Sequence, residues 1–321
     1  MGATATGKTG LALEISQRFP VEIISVDSAL IYRGMDIGTA KPDSKTLALA
    51  PHHLIDIIDP AEQYSAWEFV QQSQQLAAEI VARGNIPLLV GGSMMYFHAF
   101  EQGLNSLPVA DQSVRVRLDA EAGEIGWHGM HRRLAEVDPD SAARIKPGDC
   151  QRIQRALEVF ELSGKPLSQL QQAESTAYQG EIVKFILAAS DRSRLHQRIE
   201  TRFMQMLENG FIDEVERLKQ RADLDLSMPS MRCVGYRQLW QYLDGEFSRQ
   251  QMIEKAVAAT RQLAKRQITW LRKQPRDQAF DCLNYRKDAI FEIVEESFLE
   301  RSQERFPGNG IINSGWGLKK P

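Results

Sequence analysis

The chain of 321 residues contains little cysteine and no long apolar run. Its three cysteines, Cys150, Cys233 and Cys282, lie far apart and form no CxxC pair, which argues against a disulfide framework or a zinc site. The longest apolar stretches, such as residues 86–90, are too short to cross a bilayer. No basic and apolar leader precedes the first motif, so we expect a cytoplasmic protein with reduced thiols.

An excess of charge of one sign is also missing. The 39 Lys and Arg residues against 42 Asp and Glu residues leave a net charge of −3, so any surface that attracts nucleic acid must be local. The hydrophobic fraction of 43% and the charged fraction of 25% are typical of a globular protein. At about 100–200 residues per domain, the length indicates two domains, or one domain with a large insertion.

Short β-branched runs alternate with helical patterns in the first part of the chain. Strands are predicted at residues 21–27, 86–90 and 183–188, with a weaker candidate at 53–58, and helices at 11–18 and 66–83. This alternation predicts an α/β fold with a parallel sheet flanked by helices. Ligands gather beyond the carboxyl ends of such strands, so we expect Asp27 and the pair Gly91-Gly92 on one rim.

The character of the sequence changes after about residue 110. Charged helical patterns without a strand predict a helical insertion, and an apolar stripe at Leu195, Ile199, Phe203, Met206 and Leu207 predicts a further packed helix. We therefore divide the chain into a first core part (1–111), an insertion (112–172), a second core part with basic helices (173–300) and a disordered tail (301–321).

A phosphate-binding motif, G-x-x-x-x-G-K-[ST], opens the chain. Its residues are Gly2, Ala3, Thr4, Ala5, Thr6, Gly7, Lys8 and Thr9. The glycines let backbone N–H groups point into one concavity, Lys8 adds a positive charge, and the Thr9 hydroxyl is a ligand for Mg²⁺. The motif predicts a site for a diphosphate or triphosphate in a P-loop NTPase-like core.

The strand that normally leads into such a loop is missing, because only Met1 precedes Gly2. Either the true start lies upstream and the chain is truncated, or the loop is poorly held. We favour truncation, since the sequence downstream keeps the expected pattern. A truncated chain would be less stable and less active than its parent.

Three further features narrow the function. Asp27 follows a predicted strand and is positioned either to hold Mg²⁺ or to accept a proton, with a capping carboxylate as the structural alternative. Residues 255–276 contain seven basic and no acidic side chains together with Trp270, a pattern typical of nucleic-acid binding. Residues 151–155 carry long planar side chains that suit phosphates and base edges. His52 and His53 have no third metal ligand at suitable spacing, so we interpret them as a pair of loop histidines whose hydrogen bonds are satisfied within the protein.

Together these motifs resemble the bacterial tRNA isopentenyltransferase (tRNA dimethylallyltransferase) family. The resemblance rests on residues 2–9, 27–42, 91–93, 151–157, 232–237 and 265–272, and the second and last of these motifs are the most specific. It spans roughly residues 2–272, whereas the segment after about residue 301 has no family feature.

The resemblance implies transfer of the dimethylallyl group from dimethylallyl diphosphate to the exocyclic N6 amine of the adenosine 3′ to the tRNA anticodon. It implies that the loop binds the diphosphate, with Asp27, Lys8 and Thr9 catalytic and Thr9 on Mg²⁺, and that the insertion contacts the anticodon stem-loop. The implied tRNA-binding residues are Asp27, Ser28, Ala29, Leu30, Ser93, Arg115, Gln151, Arg152, Ile153, Gln154, Arg155, Arg232, Cys233, Val234, Gly235, Tyr236, Arg237, Lys265, Arg266, Gln267, Ile268, Thr269, Trp270, Leu271 and Arg272.

Three alternatives stay open at this point. The phosphate loop alone also permits a nucleotide or small-molecule kinase, and prenyl transfer to free AMP is the nearest alternative reaction. A truncated, inactive tRNA-binding remnant is the non-enzymatic alternative. We expect a monomer that does not associate with membranes.

Overall fold

A computed structural model describes residues 1–105, 107–172, 177–274, 279–284 and 287–305, with side chains up to residue 296. The chain divides into two compact units. Unit 1 contains Met1–His98 and the chain from Gln179 onward, and unit 2 is Ala99–Tyr178.

The described elements follow one another along the chain with helices predominating. In order they are α1 (Lys8–Arg18), β1 (Val21–Val26), α2 (Ser44–Leu49), β2 (His52–His53), α3 (Ala66–Ala82), β3 (Ile86–Gly91), α4 (Met94–Gln102), α5 (Gln112–Val137), α6 (Pro139–Arg144), α7 (Cys150–Ser163), α8 (Leu167–Leu170), β4 (Ile186–Ala188), α9 (Arg192–Glu208), α10 (Phe211–Lys219), α11 (Tyr236–Leu243), α12 (Arg249–Leu271), β5 (Ala279–Asp281) and α13 (Lys287–Arg305).

The first sheet of unit 1 is parallel and has the order β2-β1-β3. Every residue of the central strand β1 is buried, as its β-branched sequence predicts for a strand covered on both faces. The register pairs Val21 with Ile86 and Val26 with Gly91, so β1 and β3 end side by side. This confirms the prediction that Asp27 and Gly91-Gly92 share one rim.

A second parallel sheet contains β4 and β5, and the first two residues of the chain lie between the two sheets. Gly2 N donates to Gly91 O at 3.4 Å, Leu187 N donates to Met1 O at 2.9 Å, and Gly2 forms an isolated parallel bridge with Leu187. Within residues 1–105, the bridge at Gly2 therefore takes the place of the full strand that usually leads into a phosphate loop.

Some predicted boundaries differ from the structure for local reasons. The weak strand at 53–58 is reduced to His52–His53, because Leu54 and Asp56 adopt left-handed backbone angles (φ 60° and 55°) that a strand does not tolerate. Strand β4 begins only at Ile186, and β5 was not predicted. Helix α13 continues to Arg305, so the first five residues of the expected tail are helical, whereas 306–321 lie outside the described residues.

The apolar stripe on α9 packs into the largest core of unit 1. Leu195, Ile199, Phe203 and Leu207 are buried and Met206 is half-buried against the same cluster, which also contains residues of α10, α11 and α12. Burying such a stripe is the main source of stability for a surface helix, at about 1.5–3 kcal/mol per large apolar side chain. The stripe leaves the opposite face of α9 for polar residues.

Unit 2 is helical, as predicted, but wider than the predicted insertion (112–172). Leu107 packs against its core and Phe100 stacks on Tyr178 at a centroid distance of 4.7 Å, which extends the unit on both sides. Gly126 interrupts α5 with non-helical angles (φ 71°, ψ 160°), so α5 consists of two helical segments.

A buried carboxylate on the central strand β1 of unit 1 connects three elements. Glu22 is 6% exposed and accepts hydrogen bonds from Arg83 Nε (2.9 Å), Asn85 Nδ2 (2.8 Å) and the ring of His53 (2.8 Å). Chiefly because Arg83 binds the ionised form, the pKa of Glu22 is lowered to about 2. His53 is thus a satisfied histidine in a short strand rather than a loop ligand.

We predict an acid-dependent contribution of Glu22 to stability. A carboxyl group whose pKa falls on folding stabilises the folded state above its unfolded pKa, near 4.5, and loses this contribution as the pH falls towards 2. The difference in unfolding free energy between wild type and Glu22→Gln should be constant above about pH 5 and shrink below it. Urea unfolding at several pH values measures this, with exposed Glu216→Gln as control. A difference that is independent of pH would contradict the prediction.

Candidate active site

The phosphate loop leads directly into α1 and leaves the start of that helix open. Gly7, the residue before α1, has φ 87° and no side chain to cap the helix. Ala5 also adopts a left-handed angle (φ 62°). The Thr6 hydroxyl donates to Ala3 O at 2.8 Å, and this hydrogen bond within the loop stabilises its curved backbone. Uncapped N–H groups at a helix start form an anion-binding site.

Lys8 is half-buried beside this concavity. Its Nζ donates to Ala3 O at 2.6 Å. Burial lowers the pKa of Lys8 to about 8; the charge of Asp27 opposes this effect and the charge of Arg202 adds to it. The ammonium group is therefore held where it gains stability from a bound anion.

The ends of β1 and β3 are joined beyond the sheet. Gly92 N and Ser93 N both donate to Val26 O, at 3.2 and 3.1 Å. Ser28 N in turn donates to Ser93 Oγ at 3.0 Å, and Asp27 Oδ1 accepts from Ala29 N at 2.9 Å. The carboxylate of Asp27 is thus fixed at the rim by a hydrogen bond within its own turn.

Three arginines that the sequence analysis did not select lie on α9. Arg194, Arg198 and Arg202 follow one another at intervals of four residues, on the polar face of the helix, and all line a groove of about 1,230 Å³ beside Gly7, Lys8 and Thr9. Burial lowers the pKa of Arg202 and Asp27 opposes it, which places Arg202 within electrostatic reach of the rim. The i, i+4, i+8 spacing was the available sequence signal.

A cavity of about 710 Å³ brings together most of the predicted site residues of unit 1. Arg202 lines this cavity as well as the groove. Burial raises the pKa of the Cys233 thiol to about 12, so this cavity residue is a neutral packing group. The predicted residues that line the cavity are Thr4, Ala5, Lys8, Thr9, Asp27, Ser28, Ala29, Leu30, Ser93, Arg232, Cys233, Val234, Gly235, Tyr236, Arg266, Gln267 and Trp270.

Other predicted residues of unit 1 lie outside the cavity lining. Leu271 is 5% exposed and Ile268 packs against the main core, so the structure assigns both a packing role rather than the predicted RNA contact. Lys265, Thr269 and Arg237 are exposed. Arg276 of the basic segment lies outside the described residues.

In unit 2, most of the predicted RNA-binding side chains have protein partners. Glu158 is fully buried and accepts hydrogen bonds from Arg115 Nε (2.9 Å) and Arg155 Nη1 (2.6 Å), while Gln154 Nε2 donates to Asp119 (2.7 Å). Ile153 is fully buried in the helical core, so its predicted RNA contact gives way to packing. Arg152 has a side chain that is 73% exposed and lies 3.5 Å from the carboxylate of Asp149, and Gln151 is also exposed.

Glu214 is a fourth residue that the sequence analysis missed. Its buried carboxylate accepts from the backbone N–H groups of Asp36 (3.0 Å), Ile37 (2.7 Å) and Gly38 (3.1 Å), and from the Tyr236 hydroxyl (2.5 Å). Gly38 and Tyr236 both line the cavity. Glu214 therefore holds two residues of the cavity wall, Gly38 and Tyr236, through hydrogen bonds. Glu214 is one of three acidic residues in α10, and nothing in the sequence distinguishes it from Asp213 and Glu216.

Among the described residues, no helix combines the length and the apolar character needed to span a membrane.

Comparisons with known proteins agree on one family. The sequence model of the family described as IPP transferase matches residues 30–274. The tRNA dimethylallyltransferase of Burkholderia multivorans is 57% identical over 287 residues, which are 88% of this chain and 88% of that protein.

Two solved structures are similar along most of the chain. The tRNA isopentenylpyrophosphate transferase of Bacillus halodurans is 35% identical, with a TM-score of 0.66 and coverage of 95% of this chain and 97% of that one. A eukaryotic dimethylallyltransferase described as acting on tRNA is 24% identical, with a TM-score of 0.76 and coverage of 94% and 78%. The latter shows the fold alone, and both agree with the P-loop NTPase-like sheet.

We predict that Glu214→Gln loosens the segment at residues 36–38. An amide has a single acceptor oxygen, so at least one backbone N–H group would lose its partner, at a cost of about 1–3 kcal/mol. Hydrogen exchange followed by mass spectrometry should show faster exchange in this segment. Tyr236→Phe, which removes one hydrogen bond and no charge, should have a smaller effect. Unchanged exchange in Glu214→Gln would contradict the supporting role.

Proposed function

The chain belongs to the IPP transferase family and catalyses dimethylallyl transfer to tRNA. We propose that it does so at the cavity that the phosphate loop and Asp27 line. The observation that carries this proposal is that one cavity is lined both by an anion-binding loop and by the carboxylate of Asp27. The diphosphate leaving group needs the anion-binding loop. The acceptor amine, which must lose a proton, needs the carboxylate.

We propose that the phosphate loop binds the diphosphate of dimethylallyl diphosphate. Lys8, the open amides at the start of α1 and Arg202 are positively polarised groups on one side of the cavity. They would stabilise the negative charge that develops on the departing oxygen, which is the most effective point for electrostatic catalysis. Removing one such donor typically costs ~10²–10³ in rate.

We propose that the acceptor is the N6 amine of the adenosine 3′ to the anticodon. Anticodon-loop bases are single-stranded and leave their stack at low cost, and an aromatic side chain, Trp270 (39% exposed), borders the cavity for a displaced base to contact. The exposed cations Lys265 and Arg266 lie five and four residues before it on α12 and would bind the RNA backbone.

The reaction forms one bond and breaks another. The N6 lone pair forms a bond to C1 of the dimethylallyl group while the bond from C1 to the diphosphate oxygen breaks, and that electron pair leaves with the diphosphate. The amine lone pair is delocalised into the adenine ring, so N6 is a weak nucleophile until its proton is removed. Asp27 accepts this proton as general base, held in position by the Ala29 amide.

The residues present fit a magnesium ion. The Thr9 hydroxyl is an oxygen donor that lines the same cavity as the phosphate loop, where the oxygens of a bound diphosphate would complete the ligands of the ion. Magnesium favours this situation, since it keeps water and phosphate oxygens as ligands. We propose that Thr9 contributes to holding Mg²⁺, which would neutralise part of the diphosphate charge.

The test is transfer of label from dimethylallyl diphosphate to unmodified tRNA in the presence of Mg²⁺. Labelled tRNA supports the proposal. Label found in free AMP would identify an adenylate prenyltransferase, and phosphate transfer from ATP without prenyl transfer would identify a kinase. Binding of tRNA without turnover would identify an inactive remnant.

We predict that Asp27→Asn separates catalysis from binding. Loss of the general base should lower the single-turnover rate by about 10²–10⁴, while the dissociation constant for tRNA changes by less than about twofold. Rapid-quench and filter-binding measurements give the two values. Asp213→Asn, an exposed carboxylate on α10, is the matched control. Equal losses in rate and affinity would assign Asp27 a structural role.

We also predict that donor binding weakens in alkaline solution. The charged form of Lys8 favours the diphosphate, and its pKa of about 8 in the free protein means that the charge is lost above this pH. Affinity for dimethylallyl diphosphate should therefore be level below pH 8 and fall by about tenfold per pH unit above it.

Equilibrium dialysis with labelled donor between pH 7 and 9.5 measures this affinity, in a range where the diphosphate itself is ionised. Lys8→Arg keeps its charge at every pH in the range, so its affinity, even if lower, should show no such fall. A level profile for the wild type would contradict the assigned role of Lys8.

A further inference from the structure

Gln267 differs from its neighbours on α12 in what its side chain contacts. Lys265 and Arg266 are exposed, as is Thr269, whereas Gln267 is half-buried and points towards the phosphate loop. Its Oε1 accepts from Thr4 N at 2.8 Å, and its Nε2 donates to Gly92 O at 2.9 Å. One amide thus joins the loop to the segment that follows β3.

The surroundings leave little freedom for this arrangement. A Cβ atom added to Gly92 would lie 2.6 Å from Gln267 Nε2 and 3.3 Å from Gly2 O. The glycine therefore allows the amide to approach the backbone of the rim closely. Thr4 and Gly92 both line the cavity, so the amide joins two parts of the cavity wall.

We propose that Gln267 is a positioning residue for the diphosphate loop and not an RNA-binding residue like Lys265 and Arg266. By holding Thr4 N–H, it fixes the loop's first turn relative to Gly92, so that the following amides and Lys8 converge on the diphosphate. A loop that must order itself on binding loses affinity, and a loop that is already ordered does not. This inference rests on the proposed function, because it takes the loop to be the diphosphate site.

The test compares affinity for two probes, inorganic pyrophosphate with Mg²⁺ and an unmodified anticodon stem-loop RNA. The variant Gln267→Met keeps the length of the side chain and removes both hydrogen bonds. We expect pyrophosphate to bind about tenfold more weakly and the RNA to bind within twofold of wild type, so that the RNA affinity also shows that the variant is folded. Gln262→Met, at an exposed position of the same helix, should leave both affinities unchanged.

The neighbouring Arg266→Ala should show the opposite pattern. It should weaken RNA binding and reduce the salt dependence by about 0.7–0.9 in log–log slope for each phosphate that is no longer neutralised. If Gln267→Met behaves in this way too, or if it leaves pyrophosphate binding unchanged, the positioning role is wrong. If the wild type itself fails to bind pyrophosphate, the assignment of the loop fails, and the role of Gln267 fails with it.

A second pair of variants tests the same contact from the other side. Gly92→Ala should displace the Gln267 amide and weaken pyrophosphate binding about as much as Gln267→Met does. In a Gln267→Ala background the 2.6 Å contact is gone and the 3.3 Å contact with Gly2 O remains, so Gly92→Ala should then cost much less. Additive losses in this double-mutant cycle would contradict a direct contact.

Discussion

The carbonyl oxygen of Val26 is the point on which the site depends. It accepts the N–H groups of both Gly92 and Ser93, and so continues the pairing of β1 with β3 beyond the last strand residues. The two chain segments approach so closely that a Cβ atom on Gly91 would lie 1.9 Å from this oxygen. Asp27 is therefore held beside the segment to which Gln267 attaches the phosphate loop. The relative position of base and leaving group is a property of the backbone, and it requires glycine at that position.

The parts of the molecule that follow local rules were predictable from the sequence. The phosphate loop, the buried strand β1 and the apolar stripe of α9 each follow from a short spacing pattern, and the structure contains all three. Strand β2 was overestimated because the left-handed backbone at Leu54 is not apparent from its residue type. Glu214 was missed for a different reason: its partners are backbone amides about 177 residues earlier in the chain. The arginines of α9 were missed because basic residues on a polar helix face usually contact only water.

Unit 2 contains arginines that bind a buried carboxylate and an arginine whose side chain is mostly exposed. Arg115 and Arg155 share the buried carboxylate of Glu158, which also accepts the Asp111 amide at the start of α5. A buried carboxylate needs such partners to avoid the cost of an isolated charge. These guanidinium groups are one-third exposed, so they connect the core of the unit with its surface. An RNA phosphate at that surface would meet side chains whose rotamers are already restricted, in contrast to Arg152, whose side chain is 73% exposed.

The carboxylate of Glu214 has a consequence for where anions go. Three consecutive amides at residues 36–38 converge on one point, which is the same construction as the phosphate loop, yet the chain closes this concavity with its own side chain. A polyphosphate that enters the groove therefore meets uncapped N–H groups at the phosphate loop, whereas the N–H groups of residues 36–38 are already bonded to Glu214. The Glu214 carboxylate thus occupies the place that an anion would take at residues 36–38, so of these two sites the phosphate loop is the one left for the diphosphate of the donor.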